Sequence, residues 1–252
     1  PRRVKHKSMN IIVDIGNSRA KFYGVEGRRV VGGHIAEQPS EEWLSEVLRG
    51  YPDAERAIVA STRGDAERVA EILQRSISYV LPFSSGVTEV PIANDYLTPT
   101  TLGPDRLAAA VGAWAMYPDS DIMVVDFGTA ITIDYVEEGR YKGGNISLGV
   151  STRFRALHDY TAKLPECEPT DEVLEYGRST KEAIEQGVMR GVEQEIRGYV
   201  ERFLLKNRKK CIIFTGGDAK YFVKRIKNAI FADCEPVVYG LSAILDYNAE
   251  KR

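Results

Sequence analysis

Two segments of this chain repeat one pattern, and the repeat limits the folds open to it. Val13-Asp14-Ile15-Gly16-Asn17-Ser18 and Val125-Asp126-Phe127-Gly128-Thr129-Ala130 each place an Asp and a Gly directly after an apolar run, with a small polar residue following. Each reads as a buried strand ending in a tight turn, with the carboxylate at the strand tip. The Gly lets backbone approach a bulky anion with no Cβ in the way, and the next residue offers an N–H together with a hydroxyl or amide. Phe214-Thr215-Gly216-Gly217-Asp218 is a third turn after an apolar run. A single Asp-x-Gly turn is commonly only a turn. Two matched copies plus Thr-Gly-Gly predict two related half-domains, each offering a glycine turn to a phosphate.

Composition narrows the class. The 252 residues are 43% hydrophobic and 28% charged, ordinary for a globular chain with a substantial core. A formal net charge of -2 supplies no basic field for nucleic acid or anionic membrane. No apolar stretch approaches the roughly 20 residues of a membrane-spanning helix. Residues 1–8 are basic without an apolar core, so they are expected to be a cloning remnant, a mis-assigned start ahead of Met9 or a disordered arm, with a natural basic arm as the other reading. Cys167, Cys211 and Cys234 form no Cys-x-x-Cys pair, and His6, His34 and His158 have no metal-ligand spacing. A reducing, cytoplasmic setting is expected, and carboxylates must do any proton transfer.

Both halves carry the same order of elements. In the first, strands are predicted over 10–14, 20–25 and 29–35, then a helix to Leu48 with Ser40 as N-cap, a strand over 57–60, a helix over 65–75 and a strand over 77–81. In the second, strands over 121–126, 130–136 and 140–147 precede a helix from about Ser151. A long helical pattern runs from Lys181 to Leu205, with Ile184, Val188, Val192 and Ile196 along one side. A strand over 211–215, a helix from Asp218 and a last helix from about Tyr239 follow. Tyr117-Pro118-Asp119-Ser120 is the best boundary, giving domains 9–118 and 119–252.

On these turns, and on Gly103-Pro104-Asp105-Arg106, Gly143-Gly144-Asn145-Ile146 and Ser179-Thr180-Lys181-Glu182-Ala183, the chain resembles the type III pantothenate kinases of the acetate and sugar kinase/Hsp70/actin superfamily. The resemblance runs from Met9 to near the C-terminus. It implies an α/β fold of two ribonuclease-H-like, actin-like ATPase half-domains with a nucleotide cleft between them. It also implies ATP-dependent phosphorylation of pantothenate to 4′-phosphopantothenate, the first step of coenzyme A synthesis. One departure is visible: Leu148-Gly149 stands where the family usually has Pro-Gly.

The resemblance assigns roles residue by residue. Asp14, Ile15, Gly16, Asn17, Ser18, Arg19, Ala20 and Lys21 match the first ATP-binding turn, Thr129 the second, and Gly216 and Gly217 the adenosine turn. Asp14 would organise Mg²⁺, mostly through water. Asp105 would accept the proton of the pantothenate hydroxyl, in a segment Gly103, Pro104, Asp105 and Arg106 that binds the substrate together with Tyr96 and Thr180. Asp126 would ligate a monovalent cation, K⁺ or NH₄⁺, and the family pairs two chains so that Thr180 serves the neighbour's site. Plain readings stand beside these: Asp105 as a helix-start acid, Lys21 as a solvated strand residue, Tyr96 as a packing residue, Asp126 as a second Mg²⁺-organising acid, Thr180 as a helix N-cap, and the 184–196 stripe as internal core. Two other functions remain open at this point, another small-molecule kinase of the superfamily and a non-catalytic regulatory or accessory protein on the same scaffold.

Overall fold

The computed structural model describes residues 9–205, 208–227, 229–231 and 236–251. The expectation for residues 1–8 therefore lies outside the described residues, as do His6 and Cys234. The chain divides into two compact units at Met116/Tyr117, two residues before the expected 118/119 boundary.

The first unit is built on a five-stranded sheet. Its elements are β1 (Met9–Ile15), β2 (Ala20–Glu26), β3 (Arg29–Ala36), α1 (Glu41–Leu48), β4 (Ala54–Ser61), α2 (Ala66–Leu73), β5 (Tyr79–Pro82), the two-residue β6 (Ala93–Asn94) and α3 (Pro104–Met116). Strand order is β3-β2-β1-β4-β5, with β1 antiparallel to β2 and parallel to β4. β1 is buried on both faces at Ile11, Ile12, Val13 and Ile15, which explains its unbroken apolar run. Ser40 caps α1 as its sequence predicts, its Oγ accepting from the Trp43 N–H at 3.1 Å.

The second unit repeats this plan. It contains β7 (Asp121–Phe127), β8 (Ala130–Glu137), β9 (Arg140–Leu148), α4 (Val150–Asp159), α5 (Thr180–Leu204), β10 (Lys210–Thr215), α6 (Ala219–Phe222) and β11 (Ala229–Phe231). Its strands lie β9-β8-β7-β10-β11, and β7 is antiparallel to β8 and parallel to β10. The order and pairing sense match those of the first unit strand for strand. The internal duplication expected from the two Asp-x-Gly turns is thus a duplication of topology.

One expectation changes, and one open reading is decided. The last helix, α7 (Pro236–Ala249), was assigned by sequence order to the second domain, and instead packs with α3 in the first unit. It is apolar nearly all round, with Val237, Val238, Leu241, Ile244 and Leu245 buried, and so needs a partner on more than one side. The stripe Ile184, Val188, Val192 and Ile196 of α5 is core of its own unit, packed in one cluster with Met123, Val125 and Phe214 of the sheet. That stripe is therefore not the face on which two chains would meet.

Candidate active site

The first glycine turn follows β1 directly. Asp14 is the penultimate residue of β1 and pairs in register with Lys21 of β2, so the two lie opposite each other at the sheet end. Gly16 N–H donates to Arg19 C=O at 2.9 Å and closes the turn over Asn17 and Ser18, both exposed. The segment after β4 backs this turn. Thr62 N–H donates to Ile15 C=O at 2.9 Å, and the Arg63 guanidinium donates from Nε to Gly16 C=O at 2.8 Å and from Nη2 to Asn17 C=O at 3.0 Å. Nothing in the sequence flagged Arg63, because it belongs to no motif and acts through backbone carbonyls.

In the second unit Asp126 holds the same penultimate place in β7, between Thr132 of β8 and Thr215 of β10. Gly128 N–H donates to Ala130 C=O at 3.2 Å, and the start of α4 backs the turn: Gly149 N–H and Thr152 Oγ1 donate to Thr129 C=O at 3.0 and 2.7 Å. A Cβ on Gly149 would fall against the Gly128 and Thr129 carbonyls, so this position has room only for glycine. Leu148, the departure from the family pattern, ends β9 in register with Ala130. It leaves Gly149 and its contact intact.

The third turn sits on the second. Gly216 has φ +93, and a Cβ there would lie 2.6 Å from the Phe127 nitrogen and crowd the Asp126 carboxylate. Glycine is needed both for the left-handed backbone and for this approach. Gly217 faces open space, with nothing within 4 Å of a Cβ placed there. Burial pushes the Asp218 carboxyl above its ordinary range, with Lys220 pulling the other way.

The Gly103–Arg106 segment belongs to the first unit. The helix α3 starts at Pro104, so Asp105 lies inside its first turn. Pro104 opens the helix, where its missing N–H costs nothing. One Asp105 oxygen, Oδ1, accepts the Arg106 N–H at 2.9 Å. A Cβ on Gly103 would stand 2.6 Å from that oxygen. Arg106 is 6% exposed, and its guanidinium carbon lies 5.9 Å from the centroid of the half-buried Tyr96 ring. Asp105, Arg106 and Tyr96 thus form one cluster. At α5 the N-cap is Ser179, whose Oγ accepts from Glu182 N–H at 3.2 Å. Thr180, the first helical residue, is exposed and does no capping.

Among the described residues no group of three or more His, Cys, Asp or Glu side chains stands ready to hold a metal. No described helix is long and apolar enough to cross a membrane.

Two units of one strand order, each with an acid and a glycine turn at the end of its central strand, define a protein of the actin-like ATPase fold. The fold is shared with a putative 2-dehydro-3-deoxygalactonokinase from Sinorhizobium meliloti (TM-score 0.62, 15% identity, 95% of this chain and 99% of that one). The family profile described as type III pantothenate kinase matches residues 10–202. Type III pantothenate kinases of Phocaeicola vulgatus and Azobacteroides pseudotrichonymphae are 42% and 40% identical, over 95% of this chain and 99% and 97% of theirs. The chain belongs to the type III pantothenate kinase family, whose reaction is the ATP-dependent phosphorylation of pantothenate in coenzyme A biosynthesis.

Proposed function

We propose that this chain phosphorylates pantothenate with Asp105 as the proton acceptor. The substrate hydroxyl oxygen bonds to the γ-phosphorus of ATP, the bond to the bridging oxygen breaks, ADP leaves, and the hydroxyl proton passes to the Asp105 carboxylate. The observation that carries this reading is the Asp105 cluster: a carboxylate held by the Arg106 N–H beside a buried guanidinium and an aromatic ring. Arg106 is the natural fork for the carboxylate or amide oxygens of pantothenate, and Gly103, Pro104 and Tyr96 shape its surroundings. No histidine is near in sequence to take the role instead.

Asp14, Ile15, Gly16, Asn17, Ser18, Arg19, Ala20 and Lys21 form the first phosphate turn, and Thr129 donates from the second. Gly216 and Gly217 give the adenosine a surface free of side chains. Asp14 would hold Mg²⁺, mostly through water, and the ion would supply neutralisation of phosphate charge. A monovalent cation, K⁺ or NH₄⁺, belongs at Asp126. The strand-tip position of each acid, beside a glycine turn, supports both assignments.

The active form is a homodimer in which Thr180 reaches the partner subunit's pantothenate. In support, Thr180, Ala183, Gly187, Gly191 and Gly198 lie exposed along α5, and apolar Leu148 and Tyr160 border the same region at 52% and 90% exposure. A cytoplasmic location fits a chain whose substrates are ATP and a small acid. A coupled kinase assay with ATP, pantothenate, Mg²⁺ and K⁺ tests the reading. Asp105→Asn is expected to lower kcat about 10²-fold or more while nucleotide still binds. A folded variant with near-normal kcat would remove Asp105 from the role.

A further inference from the structure

We infer that Arg63 is a positioning residue for the first phosphate turn, one that turns two of its amide groups toward the nucleotide; this rests on the functional reading above. The guanidinium donates from Nε to Gly16 C=O at 2.8 Å, and from Nη2 to Asn17 C=O at 3.0 Å and Glu37 C=O at 3.3 Å. The described peptide bonds are all trans. In a trans peptide the C=O and the following N–H point opposite ways. Drawing the Gly16 carbonyl toward Arg63 therefore sends the Asn17 N–H away from it, and drawing the Asn17 carbonyl sends the Ser18 N–H away. Two successive N–H groups turned to one side form a small concave donor set for an anionic oxygen. Among the described residues neither N–H makes a backbone–backbone hydrogen bond.

The loop bearing Arg63 is itself fixed. Arg63 N–H donates to Ser61 Oγ at 3.0 Å, and the Ser61 hydroxyl donates to Asp65 at the start of α2. Thr62 holds Ile15 C=O through both its N–H and its Oγ1, at 2.9 and 3.2 Å. The turn's carbonyl side is thereby anchored to the end of β4, with a positive charge behind the peptide units that meet phosphate. A lysine cannot reproduce this, because one ammonium is a point donor on a flexible stem and does not span two carbonyls as a planar fork does. The second unit holds its matching turn in the same sense, with Gly149 and Thr152 drawing in the Thr129 carbonyl.

Steady-state kinetics on wild type, Arg63→Ala and Arg63→Lys, varying ATP and pantothenate in turn, tests this. Loss of the charged fork is expected to raise KM for ATP about ten-fold or more in Arg63→Ala, with Arg63→Lys in between and KM for pantothenate within about two-fold of wild type. An unchanged KM for ATP in both variants overturns the inference. So does an equal rise for both substrates, the mark of general loosening. Equilibrium titration with Mg-ATP in the absence of pantothenate separates this from the functional reading. If wild type binds Mg-ATP and Arg63→Ala binds it about ten-fold more weakly, Arg63 has its role even where pantothenate proves not to be the acceptor. Equal binding removes that role whatever the acceptor is.

Discussion

Gly112 of α3 and Gly240 of α7 meet backbone to backbone. A Cβ on Gly112 would stand 2.7 Å from the Gly240 nitrogen, and one on Gly240 would stand 2.9 Å from the Gly112 nitrogen and closer still to the Ala108 carbonyl. This approach is what ties the C-terminal helix to the unit holding Asp105, which lies two turns before Gly112 on the same helix. Helix propensity alone makes Gly240→Ala stabilising by about 1 kcal/mol. The obstructing atoms are backbone, which cannot swing aside as a side chain can, and overpacking costs about 1–3 kcal/mol or more. The crowding wins, and Gly240→Ala is expected to melt several degrees below wild type. A melting temperature at or above wild type would show that α3 and α7 can part without cost.

Gly103→Ala separates catalysis from folding. The new Cβ would crowd Asp105 Oδ1 from 2.6 Å, and the carboxylate rather than the backbone must move. A misplaced catalytic group of this kind lowers kcat by about ten-fold or more. Melting should stay within a few degrees of wild type, since residue 103 carries no positive φ. Full activity in Gly103→Ala would mean that the observed Asp105 rotamer is not the working one.

Activity should depend on the monovalent cation. The rate is expected to fall when K⁺ and NH₄⁺ are replaced by Na⁺ or by a bulky organic cation at equal ionic strength. Asp126→Asn should flatten this dependence. Equal rates in all salts for wild type would take the cation away from this site.

The proposed homodimer has a complementation test. Asp105→Asn and a bulky Thr180 substitution, each nearly inactive alone, are mixed and allowed to exchange subunits. Random pairing makes about half the dimers mixed, and each mixed dimer rebuilds one intact site of two, so roughly a quarter of sites recover. Demonstrated exchange with no recovered activity would confine Thr180 to its own chain.

Much of the site is legible before any coordinates because its parts are local. Asp14 with Gly16 and Asp126 with Gly128 each lie within three residues, and a strand tip followed by glycine announces itself in the order of residues. Most strand and helix runs of both units are legible for the same reason, down to the Ser40 cap, while the short strands β6 and β11 carry too few residues to show a pattern. The long-range parts are not. Arg63 reaches Gly16 across 47 positions through carbonyls that every residue owns, so no side-chain pattern betrays it. Ser179 and Thr180 are chemically near equals as caps, and only the backbone placement at the start of α5 shows that Ser179 does the work and leaves Thr180 exposed.

The sequence by itself determined the two-fold repeat, the glycine turns and the acids beside them, because periodicity and turn chemistry act over a few residues. The tertiary structure decided where the amphipathic surfaces were spent. The stripe of α5 went into its own sheet, and α7 returned to α3 past the whole second unit. An apolar helix face is satisfied by any apolar partner of the right shape, so pattern alone cannot name the partner. At α7 it was the absence of side chains at Gly112 and Gly240 that let two backbones close to contact and made that choice specific.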